Sequence, residues 1–318
     1  MKKIISLNLS LVLLLLCGCA GNQENKDTRF LLDTAVSITA NCNKEVLNGA
    51  FSLCEDYEKQ LSRTVSTSEV YALNNSDGFY KVSDSTLEIL QKSLYYADIS
   101  NGKFDITIYP VSSLWDFNNE IIPSRSEIAA ALKNVDYQSI EINENEVNLN
   151  GKKIDLGGIA KGYIADRLLD YFKRNNTSEG IINLGGNVVV FGESDYTVGI
   201  KKPFSYNDIA ATIKLHNKCV VTSGIYERYI EQDGVIYHHI LDPKTGYACD
   251  TDIYSATIIS NHAFDADALS TVCILMGLDR AKEIIESTDG VEAIFIDDSQ
   301  NLHYTSGLSL KDGIFTLK

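Results

Sequence analysis

Asp267 and Thr271 stand four residues apart in a helical pattern, so they share one helix face, one turn from each other. A carboxylate and a hydroxyl so placed are hard oxygen ligands suited to Mg²⁺, which completes its shell with waters, carbonyls and phosphates. Zinc would want His or Cys there. The pair also fits a threonine bonded back to its own helix beside a solvated aspartate, which is the commoner arrangement. A second segment, Asp155-Leu156-Gly157-Gly158-Ile159-Ala160-Lys161-Gly162-Tyr163, is expected to run from a strand into a helix. Adjacent glycines let backbone approach a ligand, free N–H groups at a helix start favour phosphate oxygens, and Lys161 in the first turn could reach the same phosphates. Its spacing is neither a Walker A loop nor a Rossmann fingerprint. Taken alone, it fits a tight turn with a solvated lysine slightly better. Third, Tyr237-His238-His239-Ile240-Leu241-Asp242-Pro243-Lys244-Thr245-Gly246 reads as a strand entering a turn. Neighbouring histidines on a strand point to opposite faces, so one can enter a cleft and shuttle a proton. A structural role stays open for both, more so for His238. The polar, glycine-containing stretches Asn101 to Thr107 and Val221 to Arg228 would be turns on composition alone, and Ser223 lacks the G-x-S-x-G setting of a nucleophile elbow.

These segments need elements to hold them. Apolar periodicity predicts helices at Lys44 to Gln60, Ser83 to Ser100, Ser124 to Asn134, Ile159 to Arg174 and Ala263 to Thr288, the last broken near Gly277. Strands are expected at Ala35 to Ala40, Ser139 to Asn143, Lys153 to Leu156, Gly180 to Phe191, Tyr196 to Ile200 and Ala211 to Leu215. Four more are expected at Val220 to Thr222, Val235 to Leu241, Tyr254 to Ser260 and Ala293 to Asp297. The strands crowd into the second half as hairpins instead of alternating with helices, which favours an α+β fold over a doubly wound sheet. From residue 29 to residue 318 there is no internal boundary, repeat or low-complexity tract, so this stretch reads as one catalytic domain.

The chain of 318 residues is 44% hydrophobic, enough for a sizeable core. Its 43 acidic and 28 basic residues give a formal charge of −15, which argues against nucleic acid as a partner. At the start, Lys2 and Lys3 precede an uncharged apolar run from Ile4 to Cys17 that closes on Leu16-Cys17-Gly18-Cys19. The run is too short and interrupted for a permanent membrane span. It resembles a bacterial lipoprotein signal over residues 1–18, with Cys19 as the lipidated N-terminus and a polar tether through residue 28. An ordinary cleaved signal or an uncleaved anchor are the alternatives. The expected location is the extracytoplasmic face of the bacterial cell membrane, held there by the lipid anchor. Five cysteines (Cys42, Cys54, Cys219, Cys249 and Cys273) lie beyond Cys19, an odd number, so at least one is expected to be unpaired. No CxxC or zinc spacing is present.

Taken in order, the segments resemble the ApbE family, FAD:protein FMN transferases once described as thiamine-biosynthesis lipoproteins. The likeness rests on Leu32-Asp33-Thr34, Leu61-Ser62-Arg63, Ser68-Glu69, Leu73-Asn74, Gly102-Lys103-Phe104-Asp105 and Leu114-Trp115-Asp116-Phe117. It continues through Asp155 to Tyr163, Asn183-Leu184-Gly185-Gly186-Asn187, Thr222-Ser223-Gly224, Tyr226-Glu227-Arg228, His239 to Gly246 and Ala266 to Thr271. The resemblance implies a single T-fold-related domain of antiparallel sheets flanked by helices. It implies Mg²⁺-dependent transfer of FMN from FAD to a Thr or Ser hydroxyl of an exported redox acceptor protein, forming a phosphoester and releasing AMP. By the same likeness, Asp267, Thr271 and the carbonyl of Gly158 would hold the metal. Leu32, Thr64, Lys103, Phe104, Asp105, Asp155, Lys161, Ile240 and Leu241 would contact FAD, and His239, Lys161 and Asp267 would be catalytic. The chain departs from the family pattern at Leu32-Asp33, usually Met-Gly, at Thr64, often tyrosine, and at Ser270, an aspartate in some members. With water as nucleophile the same site would be an FAD pyrophosphatase. Further alternatives are a non-catalytic flavin-binding lipoprotein and, more weakly, a two-lobed solute-binding lipoprotein.

Overall fold

The computed structural model describes residues 24–318. The expected signal, Cys19 and the start of the tether lie outside the described residues. Residues 24–28, expected as the end of that tether, instead open the strand Glu24–Leu31, which pairs antiparallel with Thr34–Asn41 along its whole length. Among the described residues the helices are α1 (Lys44–Leu61), α2 (Glu69–Asn74), α3 (Asp84–Ile99), α4 (Tyr109–Ser112), α5 (Arg125–Ala131), α6 (Ala160–Arg174), α7 (Ala263–Met276) and α8 (Leu278–Glu286). All five periodic segments are helices, and the break near Gly277 falls between α7 and α8. The two unanticipated helices, α2 and α4, have six and four residues, too few to leave a periodic trace.

An eight-stranded antiparallel sheet forms the middle layer, in spatial order Glu24–Leu31, Thr34–Asn41, Gly180–Leu184, Asn187–Phe191, Lys218–Gly224, Ile253–Ser260, Glu292–Asp297 and Leu302–Tyr304. Alternation along each strand sends neighbours to opposite faces. Val189, Ile258 and Phe295 join the helices α1, α6, α7 and α8 in one core. Val190, Ile259 and Ile294 pack instead on Ile213, Leu308 and Phe315 of a four-stranded sheet. Helices therefore cover only one face of the main sheet, and a second sheet covers the other. That second sheet contains one parallel pair, Ile314–Leu317 beside Ile209–Leu215. A smaller apolar cluster of Val111, Trp115, Ile128 and Leu241 ties α4 and α5 to the 237–247 segment, with the Trp115 indole N–H donating to the Gly246 carbonyl at 3.2 Å.

Residues 153–156, expected as a strand, join no ladder. The Asn74 side chain stands in for a neighbouring strand: its amide donates to the Ile154 carbonyl at 2.9 Å and its oxygen accepts the Ile154 N–H at 2.7 Å. The expected strand 180–191 is a hairpin turning at Gly185-Gly186, and the one expected to reach Leu241 ends at His238.

Helix α7 is apolar around its whole circumference and lies buried among α6, α3 and the sheet. No side chain of its own caps its N-terminus. The Asp166 carboxylate, from α6, accepts the N–H groups of Ala263 and Phe264 at 2.9 and 3.1 Å. In return Asp267 of α7 accepts the N–H of Gly162, in the first turn of α6, at 2.8 Å. Each helix thus supplies a carboxylate to the other's start, satisfying orphan amides where the dipole favours negative charge. Contact this close requires glycine: a Cβ on residue 162 would stand 2.2 Å from the Ala263 carbonyl oxygen and 2.6 Å from the Asp267 Cβ. Gly162→Ala is therefore expected to destabilise the protein by about 1–3 kcal/mol through overpacking, read as a lower urea midpoint. Gly78→Ala, with positive φ but nothing within 4 Å, is the control and should cost only its backbone strain, about 1 kcal/mol.

Candidate active site

A cleft of about 730 Å³ opens where the start of α6, the middle of α7, the turn at residues 32–33, the 101–106 loop and the 239–243 segment meet. The described site residues Leu32, Thr64, Lys103, Phe104, Asp105, Asp155, Gly158, Lys161, His239, Ile240, Leu241, Asp267 and Thr271 all line it. Segments more than 200 residues apart in sequence thus form one wall, within the volume range of small-molecule sites.

At the acidic end, Asp267 is buried and uses Oδ2 for the Gly162 amide, while Oδ1 has no hydrogen-bond partner among the described residues. Thr271 does not bond back to its helix. Ser270 does so instead, donating to the Asp267 carbonyl at 2.8 Å, and the Thr271 hydroxyl has only a long 3.4 Å contact with Ser223. Ser223 is held in turn by Ser270 at 2.7 Å. Gly158 faces the same point: a Cβ there would lie 3.3 Å from the Phe104 ring and 3.8 Å from the Thr271 hydroxyl. Among the described residues no group of three His, Cys, Asp or Glu side chains could hold a metal. The donors on offer are one carboxylate, one hydroxyl and backbone carbonyls, a set for a hard cation.

The helix start offers fewer free amides than the sequence implies. Ala160 N–H donates to Leu156, Tyr163 N–H to Ile159, Gly157 N–H to Asp155, and Gly162 N–H to Asp267. The amides of Gly158 and Lys161 remain without hydrogen bonds among the described residues, and Ile159 provides no side-chain cap. The Lys161 ammonium has one long hydrogen bond, to the Gly157 carbonyl at 3.3 Å. Two amides and an ammonium therefore form a small anion-binding nest at a helix N-terminus. The other lining cations are more committed. Lys103 donates to the Leu275 carbonyl at 2.8 Å, and Arg63 sits 3.3 Å from Asp155 and over the Tyr109 ring.

His238 and His239 diverge as alternation requires. His238 is buried, with Nε2 against the Cys249 carbonyl at 3.2 Å. His239 lines the cleft, and its Nδ1 lies 3.2 Å from the Arg228 carbonyl, which also accepts the His239 backbone N–H. A carbonyl only accepts, so Nδ1 carries the proton and Nε2 keeps its lone pair. Desolvation pulls the His239 pKa down to about 4, with the nearby positive charges of Arg228 and Lys161 adding to the effect. The ring is neutral and basic at Nε2 near pH 7.

Two sequence-derived residues present something other than a free side chain. The Asp105 carboxylate is consumed by Thr107 and the Tyr137 amide, which fix the 101–107 loop, and burial raises its pKa. Leu32 and Asp33 form a tight turn with φ of +55° and +56°, a region costly for leucine, and the Leu32 N–H is held by Glu58 at 2.9 Å. Arg63, Trp115, Phe117, Glu227 and Arg228 also line the cleft and were not singled out as site residues. Their segments stood out in sequence, but which side chain of each faces inward depends on loop geometry that periodicity does not encode. All five described cysteines are buried free thiols.

The family model of the ApbE family matches residues 32–295. An FAD:protein FMN transferase of Klebsiella pneumoniae is 33% identical over 270 residues, covering 82% of this chain and 85% of that protein. One of Treponema pallidum is 30% identical over 288 residues, covering 82% and 80%. The crystal structure of the ApbE protein of Thermotoga maritima superposes with a TM-score of 0.81 at 32% identity, covering 89% of this chain and 97% of that one. Sequence and architecture agree, and the chain belongs to the ApbE family.

Proposed function

We propose that the cleft binds FAD and transfers its FMN moiety to a Ser or Thr hydroxyl of an acceptor protein. Relatives that share most of this chain carry that activity in their names. The observation that carries the reading is the convergence in one cleft of a neutral His239 with a free Nε2 lone pair, the Lys161 nest, and the Asp267–Thr271 face. In the reaction the acceptor hydroxyl oxygen forms a bond to the FMN phosphorus and the anhydride bond to AMP breaks. The hydroxyl proton passes to His239 Nε2, and AMP leaves with the anhydride electron pair. Lys161 and the amides of Gly158 and Lys161 hold the diphosphate and stabilise charge growing on the leaving oxygen, without reorganising. Leu32, Phe104, Ile240 and Leu241 supply the apolar walls for the rings.

A hard divalent ion fits the acidic end, because Asp267 Oδ1 is unpaired among the described residues on a buried side chain and the Thr271 hydroxyl is not bonded back to its helix. Asp267, Thr271 and the Gly158 carbonyl would hold Mg²⁺ there. When bound, Mg²⁺ supplies Lewis-acid neutralisation of phosphate charge, worth several kcal/mol. We also assign the chain a lipid anchor on Cys19 at the extracytoplasmic face of the membrane, where an exported redox protein would be the acceptor. The basis is the sequence of residues 1–19; among the described residues no helix is long and apolar enough to cross a membrane.

Mass spectrometry of flavinylated acceptor checks the roles: Asp267→Ala abolishes transfer, whereas His239→Ala lowers it by about 10²–10⁴ and leaves a measurable remainder. Near-normal transfer by Asp267→Ala would remove the metal from the account. AMP release without acceptor, measured in parallel, separates transfer from hydrolysis.

The His239 environment also sets a pH dependence. Acidification protonates the base, and with a pKa of about 4 the acid limb of kcat/KM falls near pH 4 instead of near 6.5. The folded His238 and His239 both resist protonation, while the unfolded chain takes up these protons near pH 6.5. Stability is therefore full above pH 6.5 and declines as the pH falls toward 4, which urea midpoints across that window will show. Cys19→Ser should move the protein from the membrane fraction to the soluble fraction, as read by immunoblot.

A further inference from the structure

Asp166 lies outside the residues that line the cleft, yet it closes a ring with Asp267, which does line it. Gly162 and Asp166 are four apart on α6, and Ala263 and Asp267 are four apart on α7. Gly162 N–H donates to Asp267 Oδ2 at 2.8 Å. One turn further along α6, the two Asp166 oxygens take Ala263 N–H at 2.9 Å and Phe264 N–H at 3.1 Å. Two carboxylate–amide contacts, each running from one helix to the start of the other, fix both how far α7 slides along α6 and how it rotates against it. A single contact would leave one of these motions free. The groups set by this register are Lys161, adjacent to Gly162, the Gly158 carbonyl three residues earlier, and Asp267 and Thr271 on the facing helix.

We infer that Asp166 is a positioning residue: by gripping the first turn of α7 it orients Asp267 Oδ1 and Thr271 toward the Gly158 carbonyl, and so sets the affinity of the cleft for a divalent ion. This rests on the metal reading above. Asp166 does not touch substrate. Outer-shell partners of this kind change metal affinity by about 10–100-fold when removed. A carboxylate that merely held the fold together would alter stability and leave the ion's affinity unchanged.

The test uses the full chain with Mn²⁺ as the probe, free Mn²⁺ being counted by electron paramagnetic resonance with FAD present and no acceptor. Asp166→Asn keeps the volume but replaces one of the two accepting oxygens with an NH₂ donor, which cannot accept the second N–H. We expect its Mn²⁺ dissociation constant to rise about 10-fold or more, while FAD binding without metal, followed by flavin fluorescence, stays within about 2-fold of the parent. Asp166→Glu, which keeps the charge but displaces the oxygens, should shift the constant in the same direction. Asp267→Ala is the reference and should lose Mn²⁺ binding. If Asp267→Ala loses the ion while folded Asp166→Asn and Asp166→Glu bind it as the parent does, the inference is overturned and the metal reading stands. If Asp267→Ala binds Mn²⁺ normally, the metal reading itself fails.

Discussion

The site depends on a direct approach of two helices that the chain can make at only one place. Helix α6 meets α7 across Gly162, and the contact is sealed by the Asp267 and Asp166 carboxylates bonding amides of the opposite helix. Both helix starts would otherwise bury unsatisfied N–H groups, a cost of about 1–3 kcal/mol each. The same bonds that remove this cost bring the lysine of one helix and the acid–hydroxyl pair of the other to the same end of the cleft. In the proposed site, geometry and helix packing are one constraint, because Asp267 serves the fold with Oδ2 while Oδ1 has no hydrogen-bond partner among the described residues.

Around this contact the charges are arranged economically. The chain is strongly acidic overall, and two of the cations that line the cleft, Arg63 and Lys103, are already engaged by a carboxylate and a carbonyl. What remains is the Lys161 ammonium with two backbone amides, and the Arg228 guanidinium. In the proposed reaction an anionic substrate entering an acidic protein would thus meet positive potential where its diphosphate is held. A hard cation held by Asp267 would add to that potential. On the other side, the Arg228 carbonyl fixes the tautomer of His239, and desolvation keeps its ring neutral, so the base is ready without a proton first being removed.

Much of this was legible in the residues. The i, i+4 pair at Asp267 and Thr271, the strand-like alternation of His238 and His239 and the five periodic helices are local patterns, and the structure realises each. The α+β class followed from the crowding of hairpins in the second half. What escaped was non-local. Residues 153–156 look like a strand because Ile154 and Leu156 alternate with charged residues ahead of a helix, yet their partner is the side chain of Asn74, eighty residues earlier, which no periodicity reports. Residues 24–28 are polar enough to pass for a tether because they open an edge strand facing solvent on one side. The helix start at Lys161 promised several free amides, and local turns together with the Asp267 carboxylate claim all but two near it. Asp166 gave no signal, since an aspartate inside an amphipathic helix ordinarily marks the solvated face.

The central claim is that the dinucleotide's diphosphate and a divalent ion meet between α6 and α7. Anomalous diffraction from crystals of the protein with Mn²⁺ and FAD tests it directly. The account predicts a peak within about 2.0–2.4 Å of an Asp267 oxygen and the Thr271 hydroxyl, with phosphate oxygens beside Lys161. A peak elsewhere in the cleft, or a diphosphate bound away from Lys161, would contradict it.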